Sequence, residues 1–291
     1  MRRGIVLGVL IAVGAFAGLR AQPPANGPKV ITVDKVKDNL YVLKGGGGNV
    51  AVFVTSAGVT VVDAKNPGWG QPIIDKVKEL TPKPITMLIN THTHGDHVSG
   101  NVEFPATVDV VVQENTKTNM EKMDIFKQND NRGMAKRTFT DTMTIGKGAD
   151  EIELHYFGRG HTNGDAFVVF PALRVMHAGD IFSGKNIPLL DANNGGSGVE
   201  IGKTLAKAAD SVKNIDQIIT GHSTVMTVAD LKEYAAFNND FAAAVQAAKK
   251  AGKTPDEVAS TWKIPAKYTG YAEPAAARLR ANVQIVWDET K

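Results

Sequence analysis

A layered α/β fold is what this 291-residue sequence predicts, on three observations. Short runs rich in Val, Ile and Phe recur through the chain up to about residue 220. Segments with apolar residues at helical spacing separate several of them, and strands that alternate with helices build layered sheets. Residues 224–291 carry helical patterning alone. Hydrophobic residues make up 43% of the chain and charged residues 22%, the proportions of a protein that buries a real core, so disordered, collagen-like and coiled-coil classes are excluded. Cysteine is absent, which removes disulfides, thiolate metal sites and a cysteine nucleophile.

The first element is a leader rather than part of the fold. Arg2 and Arg3 precede an uncharged apolar stretch over 4–19, and Ala21 closes it before Gln22 and the pair Pro23-Pro24. That pattern reads as a secretory signal over 1–21, cleaved on export, and the apolar stretch is short for a membrane span. The expected location is periplasmic or secreted, with no membrane anchor left after cleavage. The excess of 33 Lys and Arg over 30 Asp and Glu equals Arg2, Arg3 and Arg20, so the remainder is formally neutral. A nucleic-acid partner is therefore not expected, because such binders keep a basic excess or a basic face. The expected partner is a small-molecule substrate.

Residues 25–34 read as a lead-in. Strand character follows over 40–43, 50–55 and 59–63, with four glycines at 45–48 between the first two runs. Ile73, Ile74, Val77 and Leu80 share one face of a helix over 71–80, which Pro82 and Pro84 stop. A buried-strand run over 85–89 comes next, then a strand over 108–112 and a polar helix over 114–128. Strands over 151–157, 166–170 and 173–177, a helix over 199–213 and a short strand over 217–220 complete the alternation. Thr227 with Asp230 resembles a capping box, and Tyr234, Phe237 and Phe241 then repeat at helical spacing as a buried face. Thr254-Pro255 opens another helix, with Pro at its first position, and a last helix begins after Pro274.

Seven histidines are present, and three of them fall in His92-Thr93-His94-Gly95-Asp96-His97, directly after the 85–89 run. A loop at a strand's C-terminal end projects side chains into a crevice from a rigid support. Alternate residues of extended backbone point the same way, so His92 and His94 can grip one ion. Asp96 and His97, beyond a turn at Gly95, can face a neighbouring ion. Imidazole and carboxylate suit zinc and similar divalent metals, and four polar groups buried in one loop without an ion would lack partners.

Thr91-His92-Thr93-His94-Gly95-Asp96-His97 resembles the signature of the metallo-β-lactamase superfamily. Gly160-His161-Thr162, Gly179-Asp180 and Gly221-His222 resemble its remaining motifs, in order and each after a strand run, so the resemblance extends over about 40–223. It implies a four-layer αββα sandwich: a catalytic domain over 22–223, with the helical extension 224–291 packed on it. It implies that His92, His94 and His161 hold one metal, that Asp96, His97 and His222 hold a second, and that Asp180 bridges them. The two ions are expected to be zinc, with iron or manganese also compatible. Asp63 resembles the aspartate that orients a ligand histidine from behind. His155 and His177 find no ligand slot and are read as structural.

The chemistry expected is hydrolysis by a hydroxide that two cations generate and share, with Asp96 and Asp180 as the catalytic carboxylates. The family's oxygen-reducing di-iron members carry glutamate where His94 stands, and no flavodoxin-like segment follows here. Most β-lactamases of the family carry Cys or Ser at the position of Asp180, whereas an aspartate resembles glyoxalase II, lactonases and phosphodiesterases. Export fits a β-lactamase better than glyoxalase II. The expected substrate is an acyl compound: a lactam, lactone, ester or thioester. A glyoxalase II-like thioesterase, a phosphodiesterase and a catalytically silent metal-binding protein on the same fold are the alternatives. Lys185 and Asn186, just after Asp180, are expected to touch substrate. The glycines 45–48 with Asn49 are read either as a flap or as a hairpin turn.

Overall fold

The computed structural model describes residues 29–291, and the leader expected over 1–21 lies outside them. The first sheet holds seven strands in chain order: β1 (Thr32–Lys37), β2 (Leu40–Lys44), β3 (Val50–Val54), β4 (Val59–Val62), β5 (Ile85–Ile89), β6 (Asp109–Gln113) and β7 (Arg137–Phe139). β1 to β4 form an antiparallel meander, and β4 to β7 run parallel. The second sheet comprises β8 (Thr142–Ile145), β9 (Ile152–His155), β10 (Phe167–Phe170), β11 (Val175–Gly179) and β12 (Gln217–Thr220), in the order β12-β11-β10-β9-β8. The helices are α1 (Gly70–Leu80), α2 (Gly95–Val98), α3 (Glu114–Met120), α4 (Asp124–Lys127), α5 (Ile201–Ser211), α6 (Val228–Lys250), α7 (Pro255–Thr261) and α8 (Ala276–Glu289).

The two sheets face each other across one apolar layer. Phe53, Val62, Ile89 and Val111 from the first meet Leu154, Val168, Val175 and Ile219 from the second. The rings of Phe53 and Phe170 lie 5.0 Å apart across this layer. Central strands are covered on both faces, which explains why β3 and β4 read as nearly continuous apolar runs instead of alternating ones. α1 covers the outer face of the first sheet by burying Ile73, Ile74 and Val77 against Val61, Leu88 and Val110. α5 and α6 cover the second by burying Leu205, Leu231, Tyr234 and Phe237 against Phe167, Met176 and Ile218. The result is the four-layer αββα sandwich.

α6 is thus part of the fourth layer rather than an addition to it. Its start is the capping box of Thr227 and Asp230, and α7 repeats the device with Thr254 and Glu257 behind Pro255. α7 and α8 then pack on the far side of α6 through Phe241, Val245, Val258 and Val283.

Four elements differ from the sequence reading. β1 begins within what reads as a lead-in; it mixes Val with charged residues and lies at the sheet edge, half exposed, so no apolar run marks it. β7 and β8 are short and partly exposed, and carry equally little signal. The helix read over 114–128 is two short ones. Met120 and Phe126 are both fully buried, yet six residues place them on opposing sides of one straight helix; the extended backbone at Met123 turns both inward.

Candidate metal centre

The segments that follow β4, β5, β9, β11 and β12 meet at one end of the sandwich. The strand ends deliver Asp63, the His92–His97 loop, His161, Asp180 and His222 to a common point from five places in the sequence. The expected turn at Gly95 is one turn of helix, α2, entered from an extended His94. It brings the His97 ring to 4.2 Å from that of His92, with the Asp96 carboxylate 3.8 Å from His97 Nε2. Gly221 sits so close that a Cβ there would lie 1.8 Å from Asp180 Oδ1, so only glycine lets His222 approach from that side.

Ligand atoms of His92, His94, His161 and Asp180 lie within 4.8 Å of one another, and those of Asp96, His97 and His222 do likewise. Asp180 joins the two groups. Its Oδ1 lies 3.1 Å from His97 Nε2, and its Oδ2 lies 3.1 Å from His222 Nε2 and 3.9 Å from His161 Nε2.

Most of the imidazoles are anchored through one nitrogen and present the other to this point. His97 Nδ1 donates to Asp63 Oδ2 at 2.7 Å. Thr91 Oγ1 donates to the same carboxylate oxygen at 2.8 Å and lies 3.0 Å from His92 Nδ1, so Asp63 orients two histidines, one directly and one through a hydroxyl. His94 Nε2 donates to Asp191 Oδ2 at 2.7 Å, and His161 Nδ1 donates to the Leu189 carbonyl. The free nitrogens then face each other: His94 Nδ1 lies 2.8 Å from His161 Nε2, and His97 Nε2 lies 3.4 Å from His222 Nε2. His92 Nε2 is buried with no hydrogen-bond partner. A buried polar atom without a partner is costly, and imidazole nitrogens that converge on one another and on carboxylates form a cation site. The residues therefore fit two divalent ions.

Electrostatics divides the two groups. Burial pushes His92 well below its ordinary range, and burial lowers His161 too. His97 is buried as well, yet the carboxylates of Asp180 and Asp63 hold it well above. Hydrogen bonds to Asp180 and Asp96 push His222 up to about 9. Burial opposes ionisation of Asp180, but His97 and His222 outweigh it and hold that carboxyl well below the usual range. Asp96 is held low in the same way, by His222 and His97 against burial.

Beside these groups the cleft is lined by Ser183, Asn186, Leu189 and Arg278. Asn186 thus stands where the sequence places it. Lys185 does not line the cleft: its ammonium lies 2.9 Å from Glu233 and 3.4 Å from Asp230, on the α6 side. The cation of the cleft is Arg278 of α8, which sequence reasoning missed; nothing local in Ala277-Arg278-Leu279 marks it. Asp191 was missed for the same reason. Asp165 was also missed, although its spacing from Thr162 is a signal: the Asp165 carboxylate accepts from Thr162 N–H and hydroxyl and braces the His161 turn. His177 donates to the Asn49 carbonyl and His155 pairs with Glu153, so both remain outside the cluster. The glycines 45–48 form neither a free flap nor a bare turn. Gly48 N–H donates to the Asp96 carbonyl and Asn49 N–H to the Gly221 carbonyl, which docks the loop against the site.

Comparison with known proteins agrees with this geometry. The family model of the metallo-beta-lactamase superfamily matches residues 43–222. A metallo-beta-lactamase type 2 of Elizabethkingia meningoseptica is 31% identical over 164 residues, which are 52% of this chain and 62% of that one. A hydroxyacylglutathione hydrolase of Nostoc punctiforme is 25% identical over 166 residues, 55% of this chain and 54% of that one. The chain thus spans less than two thirds of the length of either relative. Among solved structures, a metallo-beta-lactamase from Pontibacter korlensis superposes with a TM-score of 0.62 at 16% identity, over 72% of this chain and 100% of that one, and so shares the fold. With its motifs, its αββα layers and this match over more than half its length, the chain belongs to the metallo-beta-lactamase superfamily.

Proposed function

We propose that the chain is an exported, dinuclear metal-dependent hydrolase that opens an acyl substrate: a lactam, lactone, ester or thioester. The observation that carries this reading is the pair of adjoining donor groups joined by Asp180, at the floor of an open cleft. Seven side chains are more than one ion needs, and zinc suits their chemistry best. Bound ions would supply a nucleophile from water near neutral pH and positive charge opposite the developing oxyanion.

The protein's own groups do the rest. Asp63 and Asp191 hold His97 and His94 in fixed orientation from behind. Asp96, held ionised and partly open to the cleft, accepts the proton of the attacking water. Asn186 and Ser183 offer polar contacts to the acyl group, Leu189 an apolar wall, and Arg278 a cation for a charged substituent. The leader over 1–21 supports export. Among the described residues no helix is long and apolar enough to cross a membrane.

Within that acyl class, a thioester is favoured by Asp180 at the joining position and by the hydroxyacylglutathione hydrolase relative. The test is a panel of a chromogenic β-lactam, a lactone, a thioester and a phosphodiester against zinc-loaded protein. Turnover of an acyl member, abolished by chelator and restored by zinc, is expected. Turnover of the phosphodiester alone, or of nothing with two ions bound, refutes the proposal.

A further inference from the structure

Lys65 stands in the turn after β4 and is fully buried, in a left-handed conformation with φ of +64°. Lysine is almost never fully buried unless paired. This one makes no ion pair among the described residues; it donates to the Leu43 carbonyl at 3.0 Å and the Gly48 carbonyl at 2.7 Å. Both carbonyls belong to the ends of the glycine loop. Gly45, Gly46 and Gly47 all have positive φ, so the loop has little conformational preference of its own. A buried cation on its carbonyls gives it one position.

That loop touches Asp96 and His97 of the second donor group and the backbone that flanks His222. Gly48 N–H donates to the Asp96 carbonyl at 3.0 Å. A Cβ on Gly48 would lie 2.2 Å from His97 Cε1, so the bare backbone lies flat on that ring. Asn49 N–H donates at 2.7 Å to the carbonyl of Gly221, next to His222. The Asn49 side chain donates at 2.8 Å to the carbonyls of Thr220 and of Ser223, on either side of it. The Lys65 turn grips the same region from its other side, through Ala64 N–H on the His97 carbonyl at 2.7 Å.

The structure assigns to Lys65 a positioning role: it pins the glycine loop so that Asp96, His97 and His222 are pre-arranged for the second ion. The assignment rests on the dinuclear reading and concerns metal binding, not turnover. The charges of Asp63 and Asp96 favour the ammonium, while burial lowers it to about 8.

The test is titration of metal-loaded Lys65→Met with graded chelator, read by metal content and by the electronic spectrum of the cobalt-substituted protein. Loss of an outer hydrogen-bonding partner weakens a metal by about 10–100-fold. The second ion is expected to weaken by that factor while the first stays as in wild type. A merely structural lysine would lower the unfolding temperature and leave the ratio of the two affinities unchanged, and that result overturns the assignment. If Lys65→Met does not fold, Lys65→Gln, which removes the charge but keeps an amide donor for the loop carbonyls, decides: a weakened second ion supports the assignment and two wild-type affinities overturn it. A wild-type protein that takes one ion fells the dinuclear reading together with this one. A wild type and variants that all take two ions equally tightly fell this one alone.

Discussion

The two donor groups carry different numbers of protons before metal arrives, and this difference is measurable. His92 and His161 lie below their ordinary range because they are buried, so at pH 7.5 they are already neutral and ready to ligate. His97, between Asp180 and Asp63, and His222, raised to about 9 by Asp180 and Asp96, are protonated at that pH. A ligand imidazole must be neutral, so the second ion displaces at least two protons and the first takes none from His92 or His161. Each displaced proton changes affinity about tenfold per pH unit, so the second ion should weaken about a hundredfold per unit as pH falls from 7.5. The sign follows from the direction of the shifts: His222 holds its proton below about 9, His97 is raised in the same direction, and both protons compete with the cation as pH falls. Titration calorimetry of metal-free protein at pH 7.5, in two buffers of different ionisation enthalpy, counts the protons for each ion. Heat of the second ion that does not depend on the buffer would refute the electrostatic division of the site.

Asp96→Asn keeps the shape and one ligand oxygen but loses basicity; refilled with metal, it should lose at least about a hundredfold in kcat, and near-normal kcat removes Asp96 as proton acceptor. Asp63→Ala frees His97 Nδ1 and the Thr91 hydroxyl together, and should cost about 10–100-fold in affinity for the second ion, read by chelator competition. Arg278→Ala should raise KM for an anionic acyl substrate more than it lowers kcat, while Lys185→Ala, tied to Glu233 and away from the cleft, should leave both nearly unchanged. A Lys185 variant with raised KM and an Arg278 variant without it would reverse that assignment.

The cluster of histidines was legible because its chemistry is contiguous. His92, His94, Asp96 and His97 come from one loop after one apolar strand, and the strand's position tells which way the loop faces. Gly160-His161, Gly179-Asp180 and Gly221-His222 were legible only through the family resemblance, and the structure shows why each has its glycine: the backbone there comes too close to a neighbour for a Cβ. The apolar runs β3 to β5, the Thr227 capping box and the helix start at Pro255 announced themselves through periodicity and local chemistry. Edge strands β1, β7 and β8 did not, because a half-exposed strand needs no apolar run. The remainder depends on what lies opposite in space. Lys185 and Arg278 are both cations on the C-terminal side of Asp180, and only the packing of α6 and α8 decides that one meets Glu233 and the other the cleft. Nothing local marks Lys65, and only the folding of the glycine loop over it makes it a buried cation beside the second donor group. Local pattern determines which groups a segment can offer. Which of them are buried, paired or left facing a ligand is set by partners far away in the chain, and no window of sequence contains them.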